Sequence, residues 1–314
     1  MNGISTVRSL LMKQIIKTIG LRNLPIVIRS LVQRYPFLRK LLYPAIFLRR
    51  LKYTYQEKVY QHLCELLIED PVIKVPEFQG VFIIDCRTDI FKRLLINKDY
   101  ESSLVNLVIK HLDKNRDAID VGANIGFYTV LFAKILSGRK VLAIEPSKNS
   151  LQRLYKNLAN NNVMDKVIVF EGAVLDYVGI GEIKALDGKE EYSTLGQWKH
   201  PAIKDEDFFV HKVEVSTIDN LVDRYSLEPG FIKIDVEGME HLVLKGARAT
   251  LENYRPIVLS ELSDFLLKHN GSSSVEVINF FKSLDYIVID AETPDVKPEL
   301  KPFTNILCIP KEAS

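Results

Sequence analysis

Cysteine is scarce: the chain of 314 residues has three, Cys64, Cys86 and Cys308, far apart and with no CxxC pair. An odd, scattered set excludes a disulfide framework, offers no zinc-ligand spacing and fits a reducing compartment. No apolar run approaches the roughly 20 residues that cross a bilayer. The longest near the start, residues 41–48, is closed by Lys40 and Arg49. Basic residues interrupt the first apolar stretch too often for a secretory signal, so none is expected. Acid is missing altogether from residues 1–56, which hold eleven Lys and Arg; the first carboxylate is Glu57. What remains carries 31 basic residues against 40 acidic ones, so the formal charge of +2 hides a basic arm attached to an acidic body. A composition 47% apolar and 26% charged excludes a disordered or collagen-like chain and suffices for a sizeable core.

In the arm, Val7, Leu11, Ile15 and Ile19 recur at helical spacing, and Pro25, Pro36 and Pro44 divide it into short helices. Such helices can lie on an anionic membrane, each basic side chain contributing about 1 kcal/mol. The alternatives are a helical cap packed on the acidic body and an organellar transit peptide. Nucleic acid is not an expected partner, because the arginines are spaced among aliphatic residues rather than clustered with aromatic ones. The expected location is the cytoplasm, peripheral at the inner membrane surface if the arm lies on lipid.

From about residue 76 the pattern changes. Apolar runs at 118–121, 140–144, 166–170, 231–235, 256–260, 286–290 and 305–309 alternate with helical stretches at 126–136, 149–160, 240–253 and 274–283. Strands rich in Val and Ile alternating with helices predict a mostly parallel seven-stranded sheet covered on both faces, an α/β Rossmann-like domain. The expected division is a basic helical segment at 1–75 and an α/β domain at 76–314, with a β-rich insertion at 171–230 beside the ligand edge.

The run Asp117-Ala-Ile-Asp-Val-Gly-Ala-Asn-Ile-Gly-Phe-Tyr-Thr129 is a strand, a glycine-containing turn and a helix start. In a doubly wound sheet that turn forms the cofactor crevice. A dinucleotide site needs GxGxxG, with glycine at 124 and 127 counting from Gly122. Here those positions are Asn124 and Phe127, so the pyrophosphate seat is missing. The pattern is DxGxNxG, and an aspartate pointing into the crevice suits a cationic amine instead. S-adenosylmethionine has a cationic amine and a sulfonium and carries no phosphate. Glu145 ends the next strand, 23 residues after Gly122, where an acid can accept hydrogen bonds from both ribose hydroxyls; dinucleotide folds share this feature.

The runs DVGANIGFYT, IEPS, STIDNL, IKIDVEGME and VLKGA resemble the FkbM-type S-adenosylmethionine-dependent methyltransferases. The resemblance covers roughly residues 100–290 and leaves the arm outside. It implies the class I methyltransferase fold, whose last strand is antiparallel, and O-methylation of small molecules, glycans or natural products. It also implies that Asp120, Gly122, Asn124 and Gly126 line the methionine end and that Glu145 binds the ribose. Glu101, before the first strand, is placed near the cofactor and Ala173, after the third, at the adenine wall.

Methyl transfer to a hydroxyl gains from alignment and from a general base. Asp235 and Glu237 stand where the fourth strand would end, and in extended geometry i and i+2 share a face. They are the expected base or substrate-orienting acids. Glu237 and Glu240 can alternatively favour the helix that follows. His241 is a rival base or an ordinary helix residue, and Glu261 ends the next strand. Asp235 and Glu261 offer oxygens that suit Mg²⁺, but spacing fixes no third ligand and no metal is expected. Trp198, His200 and His211 fall in the insertion, where local packing competes with substrate contact; Tyr128 can pack or touch cofactor. The acceptor is expected to be a small molecule, glycan or lipid-linked sugar. The rival readings are an NAD(P)-dependent oxidoreductase, which Asn124 and Phe127 oppose, and a non-catalytic membrane-attached module of the same fold.

Overall fold

The computed structural model describes residues 70–97, 100–185 and 209–313, with Tyr60, Cys64 and Leu195. The arm at 1–56, Trp198 and His200 lie outside the described residues. The chain divides into two compact units, Met1–Leu66 and Leu67–Ser314, and the second carries the architecture below. Among the described residues no helix is long and apolar enough to cross a membrane.

The second unit opens with a hairpin of β1 (Val72–Val75) and β2 (Gly80–Ile83), in register from Val72 opposite Ile83 to Val75 opposite Gly80. The expected start of the body at residue 76 falls between these two strands. Phe78, in the connection, and Phe82 are fully buried and meet Phe127 at ring separations of 4.9 and 4.4 Å. Helices α1 (Asp89–Asn97) and α2 (Ser102–His111) follow.

Then the alternation begins: β3 (Asp117–Val121), α3 (Phe127–Ile135), β4 (Val141–Ile144), α4 (Lys148–Asn160) and β5 (Val167–Phe170). A small three-stranded sheet of β6 (Gly172–Val174), β7 (Gly179–Ala185) and β8 (Phe209–Ser216) comes next, in the order β6-β8-β7. The interval 171–230 also contains α5 (Ile218–Tyr225), the crossover helix into β9 (Pro229–Ile234). The chain continues with α6 (Glu240–Lys245), α7 (Arg248–Tyr254), β10 (Ile257–Ser263), α8 (Asp264–His269), α9 (Ser274–Ser283), β11 (Tyr286–Asp290) and β12 (Phe303–Pro310).

The main sheet has seven strands in the order β11-β12-β10-β9-β3-β4-β5. Neighbours from β10 through β5 are parallel, and β12 runs antiparallel between β10 and β11. Strand order reverses at β3, whose successors lie to one side and β9 and β10 to the other, so the crevice opens at the carboxyl ends of β3, β4 and β9. Every residue of β3 and β4 is buried; β4 reads as an unbroken apolar run, while β3 carries Asp117 and Asp120 among apolar residues. The core joins Ile119, Leu142 and Ile232 of the central strands to Leu221, Leu251 and Ile278 of the covering helices.

Two local devices shape the sheet edge. The single helix expected at 240–253 is two helices. A Cβ on Gly246 would stand 2.0 Å from the Leu175 carbonyl oxygen, and the Asp219 carboxylate of α5 accepts the Ala249 and Thr250 amides at 3.0 and 2.7 Å, so α7 starts afresh on a borrowed cap. Asn157 and Asn161 of α4 act as a surrogate strand for the hairpin. Asn157 accepts the Ile83 amide at 2.7 Å, Asn161 exchanges bonds with both backbone groups of Val81, and Asn157 Nδ2 donates to the Ile125 carbonyl at 2.8 Å.

Candidate active site

A cavity of about 320 Å³ opens at these carboxyl ends, within the ~300–1,000 Å³ range of small-molecule sites. Asp120, Gly122, Asn124, Glu145, Glu101, Ala173, Asp235, Glu237 and Glu261 all line it. Gly126 does not, yet it sets the geometry: at φ +93° it begins α3, and a Cβ there would lie 2.5 Å from Leu154 Cδ1. Gly122 is at φ +77°, and a Cβ on it would lie 1.9 Å from the Asp235 carbonyl oxygen, so glycine alone lets the turn after β3 meet the end of β9. Asn124 adopts φ +50°, a left-handed conformation in which asparagine is enriched.

Asp120 is 1% exposed. Its Oδ2 accepts the Thr129 hydroxyl at 2.6 Å, while Oδ1, also buried, has no partner. Burial raises its pKa, and the Lys233 ammonium and Thr129 hydroxyl oppose that rise. An unsatisfied buried acceptor beside a cavity is the complement of a cationic donor. Glu145 is also buried; Oε1 accepts the Ser147 amide and Oε2 the Asn124 amide, each at 2.8 Å. Each oxygen keeps a second lone pair. Burial pushes the Glu145 pKa up to about 7, against the pull of those two amides.

The loop after β9 differs from the extended run expected there. Strand β9 ends at Ile234, Glu237 lies at φ +52° and Gly238 at φ +92°. Asp235 and Glu237 therefore reach one cavity through a tight turn and not through strand alternation. The turn is held from beneath by Glu240, 2% exposed, whose Oε1 accepts the Gly238 and Val236 amides at 3.1 and 3.4 Å. Glu240 does not line the cavity. Neither do His241 and His211, whose ring atoms Nδ1 and Nε2, respectively, are buried without a partner. Carboxylate oxygens of Asp235, Glu237 and Glu261 come within 4.8 Å of one another. Burial, then the Asp235 and Glu237 charges, hold the Glu261 pKa well above the usual carboxylate range. The cation beside it is Lys233, whose Nζ stands 3.0 Å from Asp235 Oδ2; the three carboxylates are a set that could hold a metal ion, with Glu237 the third ligand that spacing did not fix.

Lys233 and Arg93 also line the cavity and were not anticipated. Lys233 interrupts an otherwise apolar central strand, Phe231-Ile-Lys-Ile-Asp235, and a charge there was the available signal. Its Nζ sits 5.0 Å from the centre of the Tyr128 ring, and the Tyr128 hydroxyl donates to Glu101 Oε2 at 2.9 Å, so Tyr128 both packs and faces the cavity. Seven carboxylates against two cations leave the cavity strongly anionic.

Residues 120–288, more than half of the chain, match the family model described as the methyltransferase FkbM domain. A stretch of 147 residues, 44% of this chain, is 26% identical to the O-methyltransferase imqG of Aspergillus flavus and spans 56% of that protein's length. Among solved structures, the methyltransferase FkbM from Methylobacillus flagellatus is 21% identical with a TM-score of 0.43, covering 63% of this chain and 44% of that one. TYW2 of M. jannaschii in complex with AdoMet is 12% identical with a TM-score of 0.38, over 76% of this chain and 84% of that one. The family match takes in the turn after β3, Glu145, Ala173 and the acids after β9, and the chain belongs to the FkbM methyltransferase family.

Proposed function

We propose that this methyltransferase uses S-adenosylmethionine and methylates a hydroxyl of a small molecule, glycan or lipid-linked sugar. The observation that carries the reading is Asp120 Oδ1, a buried acceptor without a partner at the mouth of the turn after β3. Asp120 would hold the amine of the cofactor, and the remaining lone pairs of Glu145 the ribose hydroxyls. Ala173 would lie against the base, with Glu101 and the backbone of Gly122 and Asn124 completing the seat. The excess of carboxylates favours a cationic ligand over a diphosphate, and positions 124 and 127, Asn and Phe, leave a dinucleotide without its glycines.

When bound, S-adenosylmethionine supplies an electrophilic methyl group on a sulfonium. The chain's own contribution is placement of the acceptor and removal of its proton. Lys233 fixes Asp235 through Oδ2, and among the described residues Asp235 Oδ1 takes no hydrogen bond. That oxygen is the base that accepts the hydroxyl proton. Glu237, presented by the same turn, orients the acceptor, with Glu261 beside it. Oxygen as the nucleophile is supported by the similarity to the O-methyltransferase imqG of Aspergillus flavus.

Incubating the chain with candidate acceptors and isotopically labelled S-adenosylmethionine, followed by mass spectrometry, tests the reading. A gain of about 14 daltons, one added CH₂, is expected on an acceptor that has a free hydroxyl. Uptake of NAD with no uptake of S-adenosylmethionine refutes it. We further propose that residues 1–56 make a peripheral contact with anionic membrane, placing the enzyme at the inner face of the cytoplasmic boundary, and that nucleic acid is not a partner.

A further inference from the structure

Two charges of the cavity stand on adjacent strands and have opposite signs. Lys233 of β9 is the register partner of Asp120 in β3. Both line the cavity. We propose that Lys233 binds the carboxylate of the cofactor's amino-acid end while Asp120 binds its amine, an assignment that rests on the S-adenosylmethionine reading above.

An amino-acid head carries its ammonium and carboxylate on one carbon. A site that seats the amine on Asp120 must therefore place the carboxylate close by. In a cavity with seven carboxylates that group is repelled unless a cation meets it. The described lining offers two, Lys233 and Arg93. Arg93 belongs to α1, and its guanidinium lies 4.7 Å over the ring of Tyr100. Lys233 stands on the strand that adjoins Asp120. Its ammonium has three N–H donors; one goes to Asp235 at 3.0 Å, and among the described residues Nζ makes no other hydrogen bond. Burial works against its charge, but Asp235, Asp120 and Glu101 outweigh burial and hold the lysine protonated. A lysine that only neutralised Asp235 would have no reason to distinguish ligands with and without a carboxylate.

The test is calorimetric titration of the full chain with two probes, S-adenosylmethionine and its decarboxylated analogue, which keeps the amine and the sulfonium. In Lys233→Met the ratio of the two dissociation constants is expected to move tenfold or more in favour of the decarboxylated compound, the size of a lost charge-assisted hydrogen bond. Lys233→Arg, which keeps the charge, is expected to move it less than threefold. Lys233→Gln is the second variant should the methionine form fail to fold, with the same direction expected. The assignment is overturned if both probes weaken in equal proportion in the Met or Gln form, or if the ratio moves in Arg93→Met instead. If the wild type binds S-adenosylmethionine and these variants leave the ratio alone, the assignment fails and the cofactor reading stands. If the wild type binds neither probe, both fall.

Discussion

Replacing Asp120 with Asn should strengthen the ligand-free fold and weaken the enzyme. The side chain is 1% exposed, so an ionised carboxyl there is costly, and Oδ1 has no hydrogen bond to offset the cost. Asparagine is nearly isosteric and can keep an oxygen on the Thr129 hydroxyl, 2.6 Å away in the native chain. Removing the buried charge should then raise stability by on the order of 1 kcal/mol. That corresponds to about 2–4 °C in melting temperature for a body of this size. With ligand present the sign reverses. The amine loses a charge-assisted hydrogen bond of about 1.5–3 kcal/mol and can meet an amide donor in its place. Affinity for S-adenosylhomocysteine should therefore fall about 10- to 150-fold. Scanning calorimetry of the ligand-free protein and titration calorimetry with S-adenosylhomocysteine measure the two effects. An unchanged dissociation constant would refute the role of Asp120. So would a joint loss of stability and affinity, which would mark a merely structural aspartate.

Glu240 gives a pH signature. Burial pushes its pKa from 4.5 up to about 7, so the folded chain binds its proton more readily than the unfolded one. Its contribution is fully present below about pH 4.5 and is lost as pH rises to about 7. Glu240→Gln removes that loss, so the variant should gain on wild type by about 3 kcal/mol between pH 4.5 and 7.5 in urea unfolding; a constant difference would contradict the burial argument. Asn157→Ala strips the Ile83 amide and the Ile125 carbonyl of their partners, and should cost about 2–4 kcal/mol in the same assay; a loss below about 0.5 would show that water replaces it. Gly122→Ala forces a Cβ against the Asp235 carbonyl at a positive φ, and should cost about 3 kcal/mol or more and abolish cofactor uptake. Deleting residues 1–56 should abolish sedimentation with anionic liposomes and spare cofactor binding; sedimentation that persists removes the membrane proposal.

The five parallel strands of the main sheet were legible because buried parallel strands are largely apolar on both faces, and the antiparallel β11 and β12 also read as apolar runs. Each predicted run lies within two residues of the observed strand at its amino-terminal edge, for example 231–235 against Pro229–Ile234. The hairpin β1–β2 and the helices α1 and α2 were not legible. Val72 is 63% exposed, Phe78 and Phe82 pack on the distant Phe127, and the amides of Val81 and Ile83 are held by Asn161 and Asn157, some 75 to 80 residues away. Local periodicity carries no trace of such partners. The division of 240–253 into two helices likewise depends on Leu175 and Asp219, which stand far off in the chain.

In the site, the residues read from turn chemistry stand where the cavity is built: Gly122, Asp120 within β3 and the acid after β4 line it, and Gly126 starts α3. The acids after β9 also line the cavity, but through a turn and not an extended run, since a left-handed Glu237 cannot be inferred from an alternating pattern. Lys233 was passed over because a strand of Phe, Ile and Ile scores as core whatever its third residue does. Its meaning emerges only once β9 is laid beside β3, opposite Asp120.

The most direct test of the account is a crystal structure of the chain with S-adenosylhomocysteine. The amine should lie about 3 Å from Asp120 Oδ1 and the ribose hydroxyls on Glu145. A ligand seated elsewhere, with that aspartate oxygen still lacking a donor, would contradict the claim that the crevice is built for a cationic amino-acid head.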